Sequence, residues 1–410
     1  MKKRILQLIL AAVCIAVLTA CSTQTDGWFQ DDTGTYYMVN GEPATGWMLL
    51  EDKTCYFLSD GRMAAGQQEI DGETYYFDES GAMATGWQLL DGSYYYYRAN
   101  GSRVTGWLSL DDTRYYLDPD GIAASGPAEV GGRMYLFDAQ GKLTSGWAEV
   151  GSRRYYADEN GHPLTGWQEI DGVRYLFDED YAQQTGCVED GGFTYYFLDS
   201  GTPAQGHVTI DGREYTFAFN GQLVVLVNPW NEIPEDYTVE LSGIENSHWL
   251  ADYACADLQE MLAACRSAGL NPVVCSSYRT QDYQQKLYDN RISRYMAQGY
   301  SIEDATELAG KSVAIPGTSE HQLGLALDII DNNNWKLDES QANMPTQQWL
   351  MEHSWEYGWI LRYPDEKSEI TGIIYEPWHY RYVGKAVAAD IHASGLCLEE
   401  YLESLTKTVG

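Results

Sequence analysis

The chain has 410 residues, too many for one ordinary domain and enough for two or three. Its 60 acidic residues against 26 basic ones leave a formal charge of −34, which argues against nucleic acid as a partner, because that affinity comes largely from Lys and Arg neutralising phosphates. The acidic surplus suits a secreted protein or one with cationic ligands, and 32 tyrosines with 13 tryptophans predict an aromatic surface.

Residues 1–20, "MKKRILQLILAAVCIAVLTA", begin with Lys2, Lys3 and Arg4 and continue as an apolar run. That run is short and ends in small residues, which reads as a signal peptide and not as a spanning helix. Its end, "LTAC", resembles the lipobox of bacterial lipoproteins. The resemblance implies a mature N-terminus at Cys21 carrying a diacylglyceryl group. The protein would then be anchored by lipid to the outer face of the cytoplasmic membrane of a Gram-positive-type bacterium. Cys55, Cys187, Cys255, Cys265, Cys275 and Cys397 contain no C-x-x-C pair, so a cysteine metal site lacks its spacing. Disulfides stay open to them, with no pairing assigned by sequence.

From residue 21 to 225 the chain is built on a ruler of 20 residues. Glycine recurs at 46, 66, 86, 106, 126, 146, 166, 186 and 206, in "TGW" or a variant of it, and between these glycines runs an "IDGETYYFDESGAMATGW"-like unit. Alternating apolar residues around "DG" or "GG" predict short hairpins, and a period this short predicts an all-β solenoid in which each unit buries its face against its neighbours.

These repeats resemble the choline-binding and glucan-binding wall repeats of Gram-positive surface proteins. The resemblance implies that Trp47, Trp87, Trp107, Trp147 and Trp167 help to cage a quaternary ammonium, held by cation–π attraction, or to hold a glucan. The ligand would be choline-bearing teichoic acid or glucan, which the sequence does not separate. Gln67, Pro127 and Cys187 replace the tryptophan at intervals of sixty residues and His207 replaces it once more, so one stripe of a three-repeat winding is expected to lack ligand cages.

Pro229 and Pro234 end the pattern, and residues 226–410 read as one α+β domain. Apolar residues at 250, 254, 258, 261, 262 and 265, stopped by Gly269, predict a first helix. "NPVVCSS" predicts a strand, "RTQDYQQKLYDNRISRYMAQGY" a second helix, and "SIEDATELAG" a third capped by Ser301. "LGLALDII" then predicts a strand, followed by a helix near 345–356 and a strand-like "GIIYEPWHYRYVG".

Within that domain His321, Asp328 and His379 offer two imidazole nitrogens and a carboxylate oxygen, a zinc-ligand set that leaves a fourth position open. Glu376 lies three residues before His379, and Pro377 between them predicts an irregularity that brings both to one metal, with Glu376 as general base. Other divalent ions also accept such a ligand set.

"SEHQLGLALD" and "EPWHYRYVG" resemble the S-x-H-x-x-G-x-A-x-D and E-x-W-H motifs of VanY-type D-alanyl-D-alanine carboxypeptidases. This family shares its metal centre with lysostaphin-type peptidases and the hedgehog signalling domain, which implies a small antiparallel sheet. On the resemblance, His321, Asp328 and His379 are zinc ligands and Glu376 the catalytic base. Arg279 of "SSYR", Gln284 and Ser319 hold the substrate's terminal residue, and Trp378 lines the pocket. The expected activity is removal of the terminal D-alanine from peptidoglycan stem peptides. An L,D-carboxypeptidase or endopeptidase with the same metal site stays open, as does a wall-binding adhesin or scaffold.

Overall fold

The computed structural model describes residues 26–406, so the signal peptide and Cys21 lie outside the described residues. The chain divides into two compact units between Pro163 and Leu164. No helix among the described residues is long and apolar enough to cross a membrane.

In the first unit the opening repeat is a three-stranded sheet (Gly27–Asp31, Gly34–Val39 and Glu42–Pro43), and each later repeat is an antiparallel hairpin of two five-residue strands, such as Gly66–Ile70 paired with Glu73–Phe77. Its turn places Asp71 at φ 54° and Gly72 at φ 83°, the left-handed pair that a two-residue hairpin turn requires. A second turn glycine closes each unit. At Gly81 the backbone stands at φ 78°, which favours glycine, and a Cβ there would also displace the Met63 side chain, whose Sδ is 2.3 Å away. Each of these later hairpins buries the residue that ends its second strand, namely Phe57, Phe77, Tyr97, Leu117, Phe137 and Ala157. Consecutive hairpins are tied by backbone bonds such as Met83 N to Thr54 O at 2.8 Å and Arg103 N to Thr74 O at 2.7 Å. Each face is thus completed by its neighbour, as a solenoid demands.

The second unit contains three more hairpins (Gly166–Ile170 with Val173–Phe177, Gly186–Asp190 with Phe193–Phe197, Gly206–Ile210 with Arg213–Phe217) and the α+β domain. These are packed into one body. The Phe193 ring lies 5.9 Å from Tyr382 in a stacked arrangement and 5.1 Å from Tyr253. Ala218 and Val224 belong to the apolar cluster of Ile360, Val383, Val387 and Tyr401. Gln222 Nε2 donates to Val383 O at 2.9 Å, and Arg381 Nη2 to Val225 O at 2.9 Å. A fragment of residues 226–410 loses all of these contacts, and a fragment of residues 164–410 keeps them. We expect urea denaturation to show the shorter fragment less stable by about 3 kcal/mol, the burial of one large and two small apolar side chains. Equal midpoints for the two fragments would refute this.

The α+β domain centres on a four-stranded antiparallel sheet of β1 (Pro272–Ser276), β2 (Ala326–Asp331), β3 (Trp359–Leu361) and β4 (His379–Tyr382), in the spatial order β1-β2-β4-β3. All six residues of β2 are buried, because both faces of this strand are covered. The helices α1 (Cys255–Ser267), α2 (Gln281–Ala297), α3 (Ile302–Gly310) and α4 (Pro345–His353) lie near the expected positions, and α5 (Lys385–Ser394) and α6 (Leu398–Thr406) follow. Thr280 and Ser301 cap α2 and α3 by accepting from Tyr283 N and Asp304 N. The first helix starts later than its apolar spacing predicts. Trp249–Ala251 pairs instead as a short strand with Leu241–Gly243, although Leu250 and Ala254 are still buried. Of the strand-like "GIIYEPWHYRYVG", only His379–Tyr382 is strand. The six cysteines that fall within the described residues are free thiols.

Candidate metal and catalytic site

Asp328 sits mid-sheet, with Ser276 of β1 opposite on one side and His379 of β4 opposite on the other. Residues directly opposite in antiparallel strands project to the same face, so the sheet sets these three side chains in a row. His379 Nδ1 lies 3.1 Å from Asp328 Oδ1. His321 reaches the same carboxylate from the 3-10 turn Glu320–Leu323, with Nε2 3.4 Å from Asp328 Oδ2. Its other nitrogen, Nδ1, is 2.8 Å from Ser277 O, which fixes the ring. Gly324 ends that turn at φ 71°, where a Cβ would come within 2.9 Å of Leu241. One ligand atom from each of His321, Asp328 and His379 falls within 4.8 Å of the others, and all three residues are buried.

Glu376 arrives by a turn. His379 N donates to Glu376 O at 3.1 Å, with Pro377 in the second position that favours its fixed φ, and this folds Glu376 Oε2 to 3.8 Å from His379 Nδ1. Burial pushes the Glu376 carboxyl up to about 8. His379 lowers it, the Asp328 carboxylate raises it, and Arg279 lowers it. The result is a carboxyl able to take and return a proton near neutrality. Burial, with Arg279 assisting, lowers His321 to about 4, so that imidazole is neutral and able to act as a ligand. The charged partners around Asp328 hold its carboxyl well below the usual range despite the cost of burial.

The cleft above these residues has a volume of about 240 Å³ and is also lined by Ser319, Trp378, Tyr363, Arg279, Arg291 and Arg294. Arg279 donates through Nη2 to Asp328 Oδ2 (2.8 Å) and to Ser276 Oγ (2.8 Å). Its Nη1 donates to Gln284 Oε1 at 3.3 Å. Gln284 does not line the cleft. It is fully buried and donates to Ala314 O at 2.7 Å, so it orients Arg279 from behind. Ser319 and Trp378 are both buried at the cleft wall.

Against this geometry, two family models match. The D-alanyl-D-alanine carboxypeptidase model covers residues 247–385, and the choline-binding repeat model covers residues 44–86, 84–125 and 164–206. A D-alanyl-D-alanine carboxypeptidase of Enterococcus faecalis is 45% identical over 181 residues, which is 44% of this chain and 66% of the relative. A bifunctional D-Ala-D-Ala dipeptidase and carboxypeptidase of Enterococcus gallinarum, VanXYC, is 37% identical over 153 residues, 35% of this chain and 74% of the relative. This chain belongs to the VanY D-alanyl-D-alanine carboxypeptidase family. Among solved structures, VanYB in complex with D-alanine-D-alanine is 45% identical, covering 44% of this chain and 96% of that one with a TM-score of 0.41. A VanY D,D-pentapeptidase mutant in complex with Zn(II) is 44% identical, covering 43% and 97% with a TM-score of 0.40.

Several residues of this VanY domain's site are invisible to motif reading. Arg291 and Arg294 share a face of α2 with Leu287 and Asn290, the 3- and 4-residue spacing of one helical stripe, and add two guanidinium groups to the cleft wall. The Tyr363 ring packs 4.8 Å from His379. Beside the His321, Asp328 and His379 cluster lies a set of buried charges. Glu320 Oε1 accepts from Arg362 Nε and Arg381 Nη1, both at 2.7 Å, and Arg362 also pairs with Glu399 at 2.6 Å. Glu320 Oε2 faces His379 Nε2 at 3.5 Å, and neither atom has another partner. His379 therefore turns Nε2 to a carboxylate and Nδ1 to Asp328, the arrangement by which a second carboxylate orients a metal-binding imidazole.

The residues fit a zinc ion on their own chemistry. Two nitrogens and one oxygen converge, His321 has its remote nitrogen held by Ser277 O, and His379 has its remote nitrogen facing the Glu320 carboxylate at 3.5 Å.

Proposed function

We propose that this protein is a zinc-dependent peptidoglycan carboxypeptidase, held at the cell wall by its repeats, that removes the terminal D-alanine of stem peptides. The observation that carries it is the Asp328-centred cluster with Glu376 beside it, on the floor of a cleft walled by Arg279, Arg291 and Arg294.

His321, Asp328 and His379 would hold the zinc, which when bound supplies Lewis acidity toward the scissile carbonyl. The rest falls to the chain's own side chains. Arg279, with Arg291 and Arg294 next to it, binds the free carboxylate of the peptide and so selects a chain end over an internal bond. Gln284 and Ser276 fix the Arg279 guanidinium in that direction. Glu376 takes a proton from the attacking water and returns it to the departing D-alanine amine. Trp378 and Tyr363 close the cleft wall and keep bulk water from the reacting carbonyl. The choline-binding repeats would concentrate the enzyme on a choline-bearing teichoic acid or a glucan of the wall. The lipobox at Cys21 would place it outside the cytoplasmic membrane.

Mass spectrometry of stem peptides incubated with the full chain tests this. We expect the pentapeptide to lose one terminal D-alanine, a chelator to abolish the reaction, and zinc to restore it. Trimming of the tetrapeptide instead would make this an L,D-carboxypeptidase. Zinc-loaded protein that trims neither would overturn the proposal.

A further inference from the structure

A second cavity adjoins the catalytic cleft in the same domain. It has a volume of about 520 Å³, within the roughly 300–1,000 Å³ of small-molecule sites. Ile373 lines both cavities. The chain from Lys311 to Ile315 also serves both, since Lys311 and Ile315 line the groove while Ser312, Val313 and Ala314 line the cleft. Ile374 N donates to Lys311 O at 3.0 Å and so ties these two shared segments together.

One wall of the groove is Trp230. Its indole is 65% exposed, yet it is held by its edge. A Cβ on Gly372, whose φ is 76°, would come 3.2 Å from Trp230 Cη2 and 2.7 Å from Pro229 Cγ, so glycine lets the backbone lie directly against the pair. Trp230 N donates to Asn228 Oδ1 at 3.1 Å, and Asn228 and Asn231 exchange backbone bonds of 3.1 and 3.0 Å, a turn that fixes the tryptophan's backbone. Asn228 is itself buried and donates to Glu399 Oε1 at 3.1 Å. Ile315 and Ile374 line the same groove and are 41% and 42% exposed, so the indole belongs to an apolar patch and is not a stray ring.

The polar groups of the groove are largely balanced among themselves. Lys311 Nζ pairs with Glu307 Oε1 of α3 at 2.8 Å, and Glu369 adds a second carboxylate. A cation already paired makes no demand for an ionic ligand. Together these groups offer donors and acceptors to a neutral one that carries hydroxyl and amide groups.

We propose that this groove binds the sugar ring that carries the stem peptide, an N-acetylated pyranose of the wall glycan, with its C–H face on Trp230 and its hydroxyl and acetamido groups on Glu307, Lys311 and Glu369. A pyranose is apolar on its face and polar round its edge, which matches an exposed indole bordered by charged groups. Position agrees with chemistry. The four residues between the sugar and the departing D-alanine span roughly 13 Å when extended, so a peptide whose end lies in the cleft brings its sugar within reach of an adjoining cavity. This rests on the reading of the domain as a stem-peptide carboxypeptidase and adds to it a preference for stems still attached to glycan.

The test is steady-state cleavage, by the zinc-loaded full chain, of free pentapeptide and of the same pentapeptide linked to N-acetylmuramic acid. We expect kcat/KM to be at least tenfold higher for the linked substrate. Trp230→Ala should remove that preference and leave cleavage of the free peptide within twofold of wild type, which is also the control that the variant folds. Trp230→Phe should keep most of the preference. Equal rates on both substrates in the wild type, an undiminished preference in Trp230→Ala, or an equal loss on both substrates would overturn the sugar site. A preference that follows the side chain of the third peptide residue and ignores the sugar would overturn it too, and give the groove to that side chain. If neither substrate is cleaved, the carboxypeptidase reading fails by itself, and NMR titration with the GlcNAc-MurNAc disaccharide decides the groove. Binding that Trp230→Ala weakens at least tenfold supports the site; no binding, or binding that Trp230→Ala leaves unchanged, overturns it.

Discussion

Glu320→Gln is expected to weaken zinc affinity 10- to 100-fold and to destabilise the second unit by about 3 kcal/mol, although Glu320 coordinates nothing in the proposed site. Two separate interactions are lost. One oxygen of Glu320 balances Arg362 and Arg381, both essentially without solvent exposure, and the other faces His379 Nε2. Arg362 retains Glu399, but Arg381 is left with backbone carbonyls of Tyr382 and Val225 as its acceptors. A buried guanidinium without a counter-charge is the costly outcome. The imidazole loses the carboxylate that directs Nδ1 toward Asp328, which is the origin of the metal effect. Glu399→Gln separates the two consequences, since Glu399 touches Arg362 and Asn228 but not His379. It should lower the urea midpoint and leave zinc affinity unchanged. Zinc titration that finds Glu320→Gln and Glu399→Gln alike in affinity would refute the orienting role.

This cluster also marks the limit of what the sequence discloses. Glu320, Arg362, Arg381 and Glu399 are charged residues spread over 80 positions, and each reads by itself as a solvated surface group. Their burial depends on the sheet bringing β3 and β4 together, and β3 is a three-residue strand too short to leave a periodic signal. The convergence of His321, Asp328 and His379 was legible for the opposite reason. His321 and Asp328 are seven residues apart across one turn and one strand, so local geometry nearly determines their meeting, and Pro377 announces the turn that brings Glu376 in. Gln284 was placed in the cleft by motif position alone, whereas the face of α2 that carries Arg291 and Arg294 is the one that reaches it.

The repeats divide in the same way. Their hairpins follow from Asp-Gly turns and a 20-residue period. Yet the period cannot show that Phe193, where the hairpins of the first unit carry Lys53, Glu73, Ser93, Thr113, Arg133 and Arg153, stacks on Tyr382 of the peptidase domain. Nor does it show that an arginine seven residues after a tryptophan folds back over that ring. The five tryptophans expected to act alike differ through a neighbour that the motif leaves variable.

Glu376→Gln should lower kcat by about 10³-fold while leaving KM for the pentapeptide and the zinc content of the protein within about twofold of wild type, the range seen when a general base is removed without disturbing binding. The amide keeps the shape of the side chain, and the backbone bond from His379 N to Glu376 O that forms the turn is untouched. The turn should therefore hold, and with it the position of His379. What disappears is the proton acceptor beside the cluster, a carboxyl that burial raises to about 8 and that has no substitute there. The other carboxylates near His379 are committed, Asp328 to His321, His379 and Arg279, and Glu320 to Arg362 and Arg381. Arg279→Ala gives the complementary signature. It removes the guanidinium that would grip the peptide carboxylate, so KM should rise at least tenfold in steady-state assays on the pentapeptide. A Glu376→Gln protein that retained zinc and more than a tenth of wild-type kcat would move the base elsewhere in the cleft. Tyr363, whose ring packs on His379 and whose hydroxyl is held protonated far above its usual range by burial, could not take that role.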